Sequence, residues 1–250
     1  MDTILQKHMP FDPLQNTPLP GVAPLAMSDW LIIDDAYAPQ MALRRRLLAN
    51  RRQDVLQVAP QALPAAQELL SLVLEQLAMR EEFDVSERHV TCPDGHRVTL
   101  IWDDPMQTVG QLVQEDMCLL QKQGDEHVLS GAVLCFPAGW TLSEKFQKPL
   151  LRIHAPVSEY DENIAKRVQR LFDGVRPGRP LWRKNALWYD DPCLFAPRSE
   201  ATPHLPARDP GTHRPFLRSE RQSVVRLPKS QAVVFSIHTF VLRREDASSE

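Results

Sequence analysis

Apolar positions recur at two different periods along this chain of 250 residues, and the change between them divides it roughly in half. The early period is helical. From Pro64 to Arg80, residues Ala66, Leu69, Leu70, Val73, Leu74 and Leu77 fall at the three- and four-residue spacing of one helix face. Pro39 to Arg52 predicts another helix, with proline in its first turn and a basic end, both favourable placements. Thr108 to Gln121 predicts a third. Trp30 to Asp34 is a short apolar run, read as a first strand or as a lead-in, and Arg97 to Trp102 is strand-like. Later the alternation shortens. Val128 to Phe136 predicts a strand closed by Pro137-Ala138-Gly139, and Leu150 to Ile153 a short extended piece before Pro156. Asp161 to Phe172 predicts a helix, with Ile164, Val168, Leu171 and Phe172 on one side. Three strands follow, over 181–189, 216–227 and 232–242. The last two meet at Pro228-Lys229-Ser230, a short polar link that predicts an antiparallel hairpin. Helices first and hairpin-linked strands later predict an α+β fold, not a doubly wound parallel sheet.

Three places depart from a plain core pattern. On the helix expected over 108–121, Val109, Leu112, Val113 and Leu120 define one face, and Asp116 falls in its middle. A carboxylate there must be paired, hydrogen-bonded or neutral, because burying it alone costs roughly several kcal/mol. It is either a buried clamp to an arginine or to the main chain, or a pocket residue. The strand over 216–227 is polar on both sides. One side carries Arg218, Glu220, Gln222 and Arg226, the other Ser219, Arg221 and Ser223, so neither is cleanly apolar. An edge strand and a strand lining a polar pocket both fit. The third is His154, between an apolar segment and a proline turn, where a structural imidazole and a metal ligand are both open readings.

Composition narrows the class. Hydrophobic residues make up 43% and charged residues 24%, enough for a substantial core and against global disorder. The formal charge of -3 lacks the basic excess of a nucleic-acid binder. No apolar run approaches the ~20 residues of a spanning helix, and Met1 to Pro10 does not read as a signal peptide. A cytoplasmic protein is expected. Cys92, Cys118, Cys135 and Cys193 contain no C-x-x-C pair, so a cysteine-held zinc or iron–sulfur site is not expected. Cys92-Pro93 is too short a match to carry a thiolate haem site. Prolines cluster in 10–24 and 192–215, which read as irregular connections. The expected organisation is an extended, Pro-rich arm over 1–24, a single domain over 25–243 and a polar tail over 244–250.

Several motifs in order resemble those of the haem-dependent oxidative N-demethylase alpha-subunit-like family. They are Gln114-Glu115-Asp116-Met117-Cys118-Leu119-Leu120, then Val133 to Trp140 with its Phe136-Pro137 turn, Glu144-Lys145, and Ile153-His154-Ala155-Pro156-Val157. Arg183 and Asn185 resemble an Arg-x-Asn strand motif. Glu220-Arg221-Gln222, Arg226-Leu227-Pro228 and Phe235-Ser236-Ile237 are similar to the closing hairpin. What the resemblance implies is a PAS-like antiparallel sheet flanked by helices and holding haem b. The implied activity is oxidation of a small secondary amine, of the dimethylamine kind, to a primary amine and formaldehyde with O2. Electrons would come from NADPH through a separate reductase subunit carrying FMN and a 2Fe–2S cluster, since this chain has no G-x-G-x-x-G fingerprint and no cysteine cluster. His154 is then the expected iron ligand. Arg183, Arg221 and Arg226 become candidate cofactor contacts, because the arginine fork matches a propionate bidentately. Glu220, Gln222 and Asp116 are the candidate catalytic residues. The alternative is a non-catalytic haem sensor or binding protein, or a member that has lost the cofactor. Three positions depart from the family pattern: Gln147 replaces a usual glycine, Ala186 a usual tryptophan, and His238 a usual arginine. Ser223-Val224 also stands where Thr-Leu is usual.

Overall fold

The computed structural model describes residues 3–15, 21–154, 162–202 and 214–247, without the side chains of residue 154 and residues 162–166. In chain order the elements begin with β1 (Ala23–Pro24), α1 (Tyr37–Asn50), α2 (Arg52–Val55), β2 (Leu56–Val58) and α3 (Leu63–Ala78). A small antiparallel sheet of β3 (Asp84–Val85), β4 (His89–Thr91) and β5 (Arg97–Thr99) comes next. Then follow α4 (Pro105–Leu112), β6 (Asp116–Gln123), β7 (Glu126–Val133), α5 (Leu142–Lys145), α6 (Leu150–His154) and α7 (Glu162–Gly174). The chain closes with β8 (Leu181–Tyr189), β9 (Phe216–Arg226), β10 (Val233–Arg243) and a helical turn, α8 (Arg244–Ala247).

The main sheet has seven strands among the described residues, in the order β1-β8-β9-β10-β6-β7-β2, and every neighbouring pair is antiparallel. The α+β class and the closing hairpin are as the sequence pattern predicts. Residues directly opposed in an antiparallel ladder share a face, so the registers sort the side chains. One face carries Val224, Val233, Leu120 and Cys118, which pack with Phe172 and Val175 and with Leu142 and Leu150 of α5 and α6. The other carries Met117, Leu119, Val225 and Val234, which pack with α1, α3 and Trp30. On α3, Ala66, Leu69, Leu70, Val73 and Leu77 are buried, as their spacing demands. Each buried leucine contributes roughly 1.5–3 kcal/mol. Gly110 lets α4 lie close on β7: a Cβ there would sit 2.6 Å from Val133 Cγ2.

Two expectations need correction, and two readings left open are decided. The helix expected over 108–121 stops at Leu112, and Asp116 opens β6. Met117-Cys118-Leu119-Leu120 is a central strand buried on both faces, and such an unbroken apolar run reads equally well as helix. Asp116 is nevertheless fully buried. Its Oδ1 accepts from Arg44 Nη1 at 2.6 Å and from Cys135 N at 2.7 Å, and its Oδ2 from Phe136 N at 2.8 Å. The segment expected to be extended over 150–153 is the helical turn α6, where Ile153 N already bonds back to Pro149 O. Trp30 to Asp34 forms no strand; side chains take up its main chain, with Glu115 Oε1 accepting from Ile32 N and Gln114 Oε1 from Asp34 N. The edge-strand reading of 216–227 fails, because β9 lies between β8 and β10 in the sheet interior.

The Gln147 departure has a local account. Its φ of 58° lies in the left-handed region, the conformation a glycine takes without a steric penalty. No helix among the described residues is long and apolar enough to cross a membrane.

Asp116→Asn keeps the volume but strands Arg44 without a counter-charge. A loss of about 3 kcal/mol or more is expected, read from the urea midpoint. A loss below about 1 kcal/mol would mean that the pair is not what holds α1 to the sheet.

Candidate functional site

Polar side chains on an interior strand must each find a partner or a purpose, since an unsatisfied buried group costs about 1–3 kcal/mol. On β9, Arg218, Ser219, Glu220 and Arg221 are all buried, and Gln222 is half-buried. The register places Arg218, Glu220 and Gln222 on the face covered by α5 and α6. On the same face β8 contributes Arg183 opposite Gln222 and Asn185 opposite Glu220, while β10 contributes Ile237 and Thr239. Towards the hairpin this face is apolar, with Val224, Val233 and Phe235. Away from the hairpin it is amide, carboxylate and guanidinium.

Glu220 is held in place by neutral donors. Its Oε2 accepts from Asn185 Nδ2 at 3.2 Å and from Gln222 Nε2 at 3.0 Å, and its own N donates to Asn185 Oδ1 at 3.2 Å. The nearest cation, Arg218 Nε, is 3.9 Å from Oε1, beyond hydrogen-bond reach. Arg218 is turned instead to the main chain, donating to Phe136 O at 2.6 Å and to Leu194 O at 3.2 Å. Glu220 thus takes its hydrogen bonds from neutral amides, with Arg218 as an ion-pair partner at longer range. Tyr189, further along the same face of β8, has a phenol pushed above its ordinary pKa by burial and by Glu220, with Arg218 pulling the other way. It stays a neutral hydroxyl at physiological pH.

Arg183 is the residue without an internal account. Among the described residues no hydrogen bond or ion pair reaches its guanidinium, and its Nε is buried without a partner. Burial alone draws its pKa down, with no anion to offset the effect. An arginine remains charged under such pressure, so β8 presents an uncompensated cation beside Gln222.

The other expected residues are engaged elsewhere. Arg226 Nε donates to Val175 O at 2.7 Å and its Nη1 to Gln231 O at 2.6 Å, and Nη2 also bonds Phe172 O, so it caps the carbonyl end of α7. Arg221 points to the opposite face, where Nη1 donates to Asp29 O at 2.7 Å and Nη2 to Trp30 O. It lines a cleft of about 530 Å³ there with Arg80, Asp29 and Leu31. Asp116 sits in the clamp with Arg44. His154 ends α6, and its side chain lies outside the described residues. Lys145 Nζ donates to Ile153 O at 2.6 Å, just before it, and also bonds Glu200, which Arg152 holds at 2.9 Å. The structure therefore brings Glu220, Gln222 and Arg183 together and leaves Arg221, Arg226 and Asp116 apart from them. Sequence reasoning missed Arg218 and Tyr189. The alternation Arg218-Glu220-Gln222 carried the signal for the first; nothing in the sequence marked Tyr189.

A family model described as haem-dependent oxidative N-demethylase, alpha subunit-like, matches residues 21–250. The chain belongs to that family. The matched range includes every strand of the main sheet. A haem-dependent family name suggests haem, and one residue of the candidate face has the chemistry to meet it. Haem carries two propionates, and the uncompensated Arg183 guanidinium is a counter-charge of the matching bidentate shape. Among the described residues no group of three His, Cys, Asp or Glu could hold a metal ion. A haem asks for an axial side chain instead of such a cage.

If Arg183 serves a ligand and Arg226 the fold, their substitutions should part company. Arg183→Met should leave the cofactor-free protein as stable as wild type or up to ~1 kcal/mol more so. Arg226→Met should lose roughly 1–3 kcal/mol by stranding the carbonyls it caps. Urea melts of both variants decide this; a large loss for Arg183→Met would mark it as structural.

Proposed function

We propose that this chain is the haem-bearing subunit of an oxidative N-demethylase acting on a small methylated secondary amine of the dimethylamine kind. The observation that carries the reading is the placing, on one sheet face, of a half-buried arginine with no partner among the described residues beside a carboxylate hydrogen-bonded by amides. Arg183 suits a propionate; Glu220 suits an ammonium. In this reading His154 would hold the iron of haem b, and the sheet with its flanking helices would be a PAS-like cage. When bound, haem would supply the binding and reduction of O2, with electrons from NADPH through a separate subunit carrying FMN and a 2Fe–2S cluster, in the cytoplasm. The balance is dimethylamine, O2, NADPH and a proton giving methylamine, formaldehyde, water and NADP+.

The chain's own residues bind and orient. The Glu220 carboxylate, fixed by Asn185 and Gln222, attracts the protonated amine into the low-dielectric interior and accepts its N–H. Gln222 both steadies Glu220 and closes the space between it and Arg183. Ile237, from β10 on the same face, offers the apolar surface that a methyl group prefers to water. Asp116 positions: it locks the start of β6 beside Ile237 and the main chain at Cys135 and Phe136. Arg221 and Arg226 brace β9 from its other face and from its hairpin end.

Protein produced with haem supplementation should show a Soret band, and His154→Ala should lose or shift it. Formaldehyde release from dimethylamine should require NADPH and a reductase. Glu220→Gln should keep the band while raising KM about tenfold, the equivalent of about 1.4 kcal/mol of lost amine binding. Wild type without a Soret band would refute the haem reading. A band without formaldehyde release from any methylamine would make the chain a binding or sensing protein.

A further inference from the structure

His238 lies on the opposite face of the sheet from Glu220, fully buried on β10 and paired in register with Arg221. Both of its ring nitrogens face carboxylates. Nδ1 is 3.0 Å from Glu115 Oε1 and Nε2 is 3.1 Å from Asp34 Oδ2. A neutral imidazole has a single N–H, so it would turn a lone pair towards one of them. The two carboxylates already act as acceptors. Glu115 Oε1 takes Ile32 N at 2.8 Å, and Asp34 takes Gln6 Nε2 at 3.0 Å, Gln114 Nε2 at 2.7 Å and Ala36 N at 2.9 Å. The contact set is satisfied when the ring donates at both nitrogens.

We propose that His238, as an imidazolium, is the centre of a proton-dependent latch that seats the 30–36 segment and the arm at Gln6 on the sheet and loosens as pH rises. The latch joins pieces distant in sequence. Gln6 mimics an extra strand residue beside β10: its N donates to Val241 O at 3.0 Å, and its Oε1 accepts from Val241 N at 2.8 Å. Trp30 is held by Nε1 donating to Ser236 Oγ at 2.9 Å and by Arg221 on its carbonyl.

The charged groups facing the ring from each packed element are few. Asp34 comes from the lead-in segment, Glu115 from the turn before β6, and Arg221 from β9. Beyond Arg221 stand Arg80, just past the end of α3, and Asp29, and beyond Glu115 stands Arg44 of α1, already paired with Asp116. Two cations, His238 and Arg221, meet two anions, Asp34 and Glu115. Loss of the ring proton leaves one buried negative charge in excess, and Glu115 Oε2 and Arg221 Nε have no partner in reserve. Burial opposes charge on the ring, but the bonds to Asp34 and Glu115 outweigh it and hold its pKa above the ordinary value. Burial likewise opposes ionisation of Asp34 and Glu115, and His238, together with Gln114 and Gln6 at Asp34 and with Ile32 N and Arg221 at Glu115, outweighs it, so both are held below their ordinary values.

The signs then follow. The histidine contribution is complete below its unfolded pKa, about 6.5, and disappears as pH rises through the higher folded value. The carboxylate contributions are complete above about 4.3 and disappear on acidification. The latch is strongest between about pH 4.3 and 6.5.

Two readings on the full-length wild-type protein test this. Ring-nitrogen NMR of His238 should show both nitrogens protonated at pH 6.5, with titration at higher pH. Over the same titration, amide hydrogen exchange at Ile32 and Val241 should gain at least tenfold beyond the base-catalysed increase. Protection of the α3 amides should stay constant. Glu115→Gln should shift the ring titration to lower pH. A ring that is neutral at pH 6, with the proton on a carboxyl group, overturns the proposal. So does a ring that titrates while Ile32 and Val241 keep their protection. Should Glu115→Gln not fold, the wild-type readings decide alone.

Discussion

A carboxylate with no solvent has to be fully answered by its neighbours, and the ion pair of Asp116 with Arg44 is where this chain meets that demand. Both side chains are completely buried. Arg44 also donates to Gly110 O, Gln114 O and Glu115 O, so one guanidinium fixes the whole passage from α4 into β6. Asp116 in turn fixes the main chain where β7 ends and the turn through Pro137 begins. Helix α1, helix α4, β6 and the exit of β7 are therefore set by one pair. Such pairs contribute little net stability when compared with a well-packed apolar replacement, but leaving either partner alone is expensive. The constraint selects an arrangement: β6 can enter the sheet only where Asp116 reaches both Arg44 and the Cys135 and Phe136 amides.

That arrangement bears on the candidate site because β6 is the neighbour of β10, and β10 of β9. The register runs without a break from Asp116 to Ile237 to Gln222 to Arg183. A one-residue slip of β9 would turn Gln222 and Glu220 to the opposite face, and a slip of β8 would do the same to Arg183. The clamp lies at one end of a row whose other end is the uncompensated arginine. Its contribution to any chemistry is positional.

Parts of this were legible in the sequence for clear reasons. Strand β8 was expected over 181–189 and lies there, and the hairpin of β9 and β10 followed from two strand-like runs around a short polar link. Helix α3 was legible because its apolar stripe is long enough to distinguish a helical period, and α1 from the proline in its first turn and its basic end. The boundary between α4 and β6 was not, because Val109, Leu112, Val113 and Leu120 fit one helical face across it, and local period cannot tell whether the short run Met117 to Leu120 is helix or a strand buried on both sides. The burial of Asp116 was nonetheless expected from its apolar neighbours. The polarity of 216–226 was visible, but whether it marked an edge or an interior depended on where β8 would pair. The quartet around His238 was invisible: Asp34, Glu115, Arg221 and His238 come from four separate segments, and each alone looks like an ordinary polar residue.

The two faces of the sheet use charge in opposite ways, and the contrast identifies the face on which a ligand belongs. Behind β9, among the described residues, His238 is answered by two carboxylates and Arg221 by the Asp29 and Trp30 carbonyls. In front of it, Arg218 and Arg226 are answered by carbonyls as well. Among the described residues Arg183 is not, and Glu220 is answered by neutral amides and by Arg218 at 3.9 Å. A sequence selected for stability alone would have closed the gap by pairing Arg183 with Glu220, which lies one register step away on the same face. Gln222 and Asn185 stand between them instead. Charges of opposite sign held apart in a buried setting are a standing cost to the fold, tolerated where something else completes them. An anionic group at Arg183 and a cationic one at Glu220, bound side by side, would complete both.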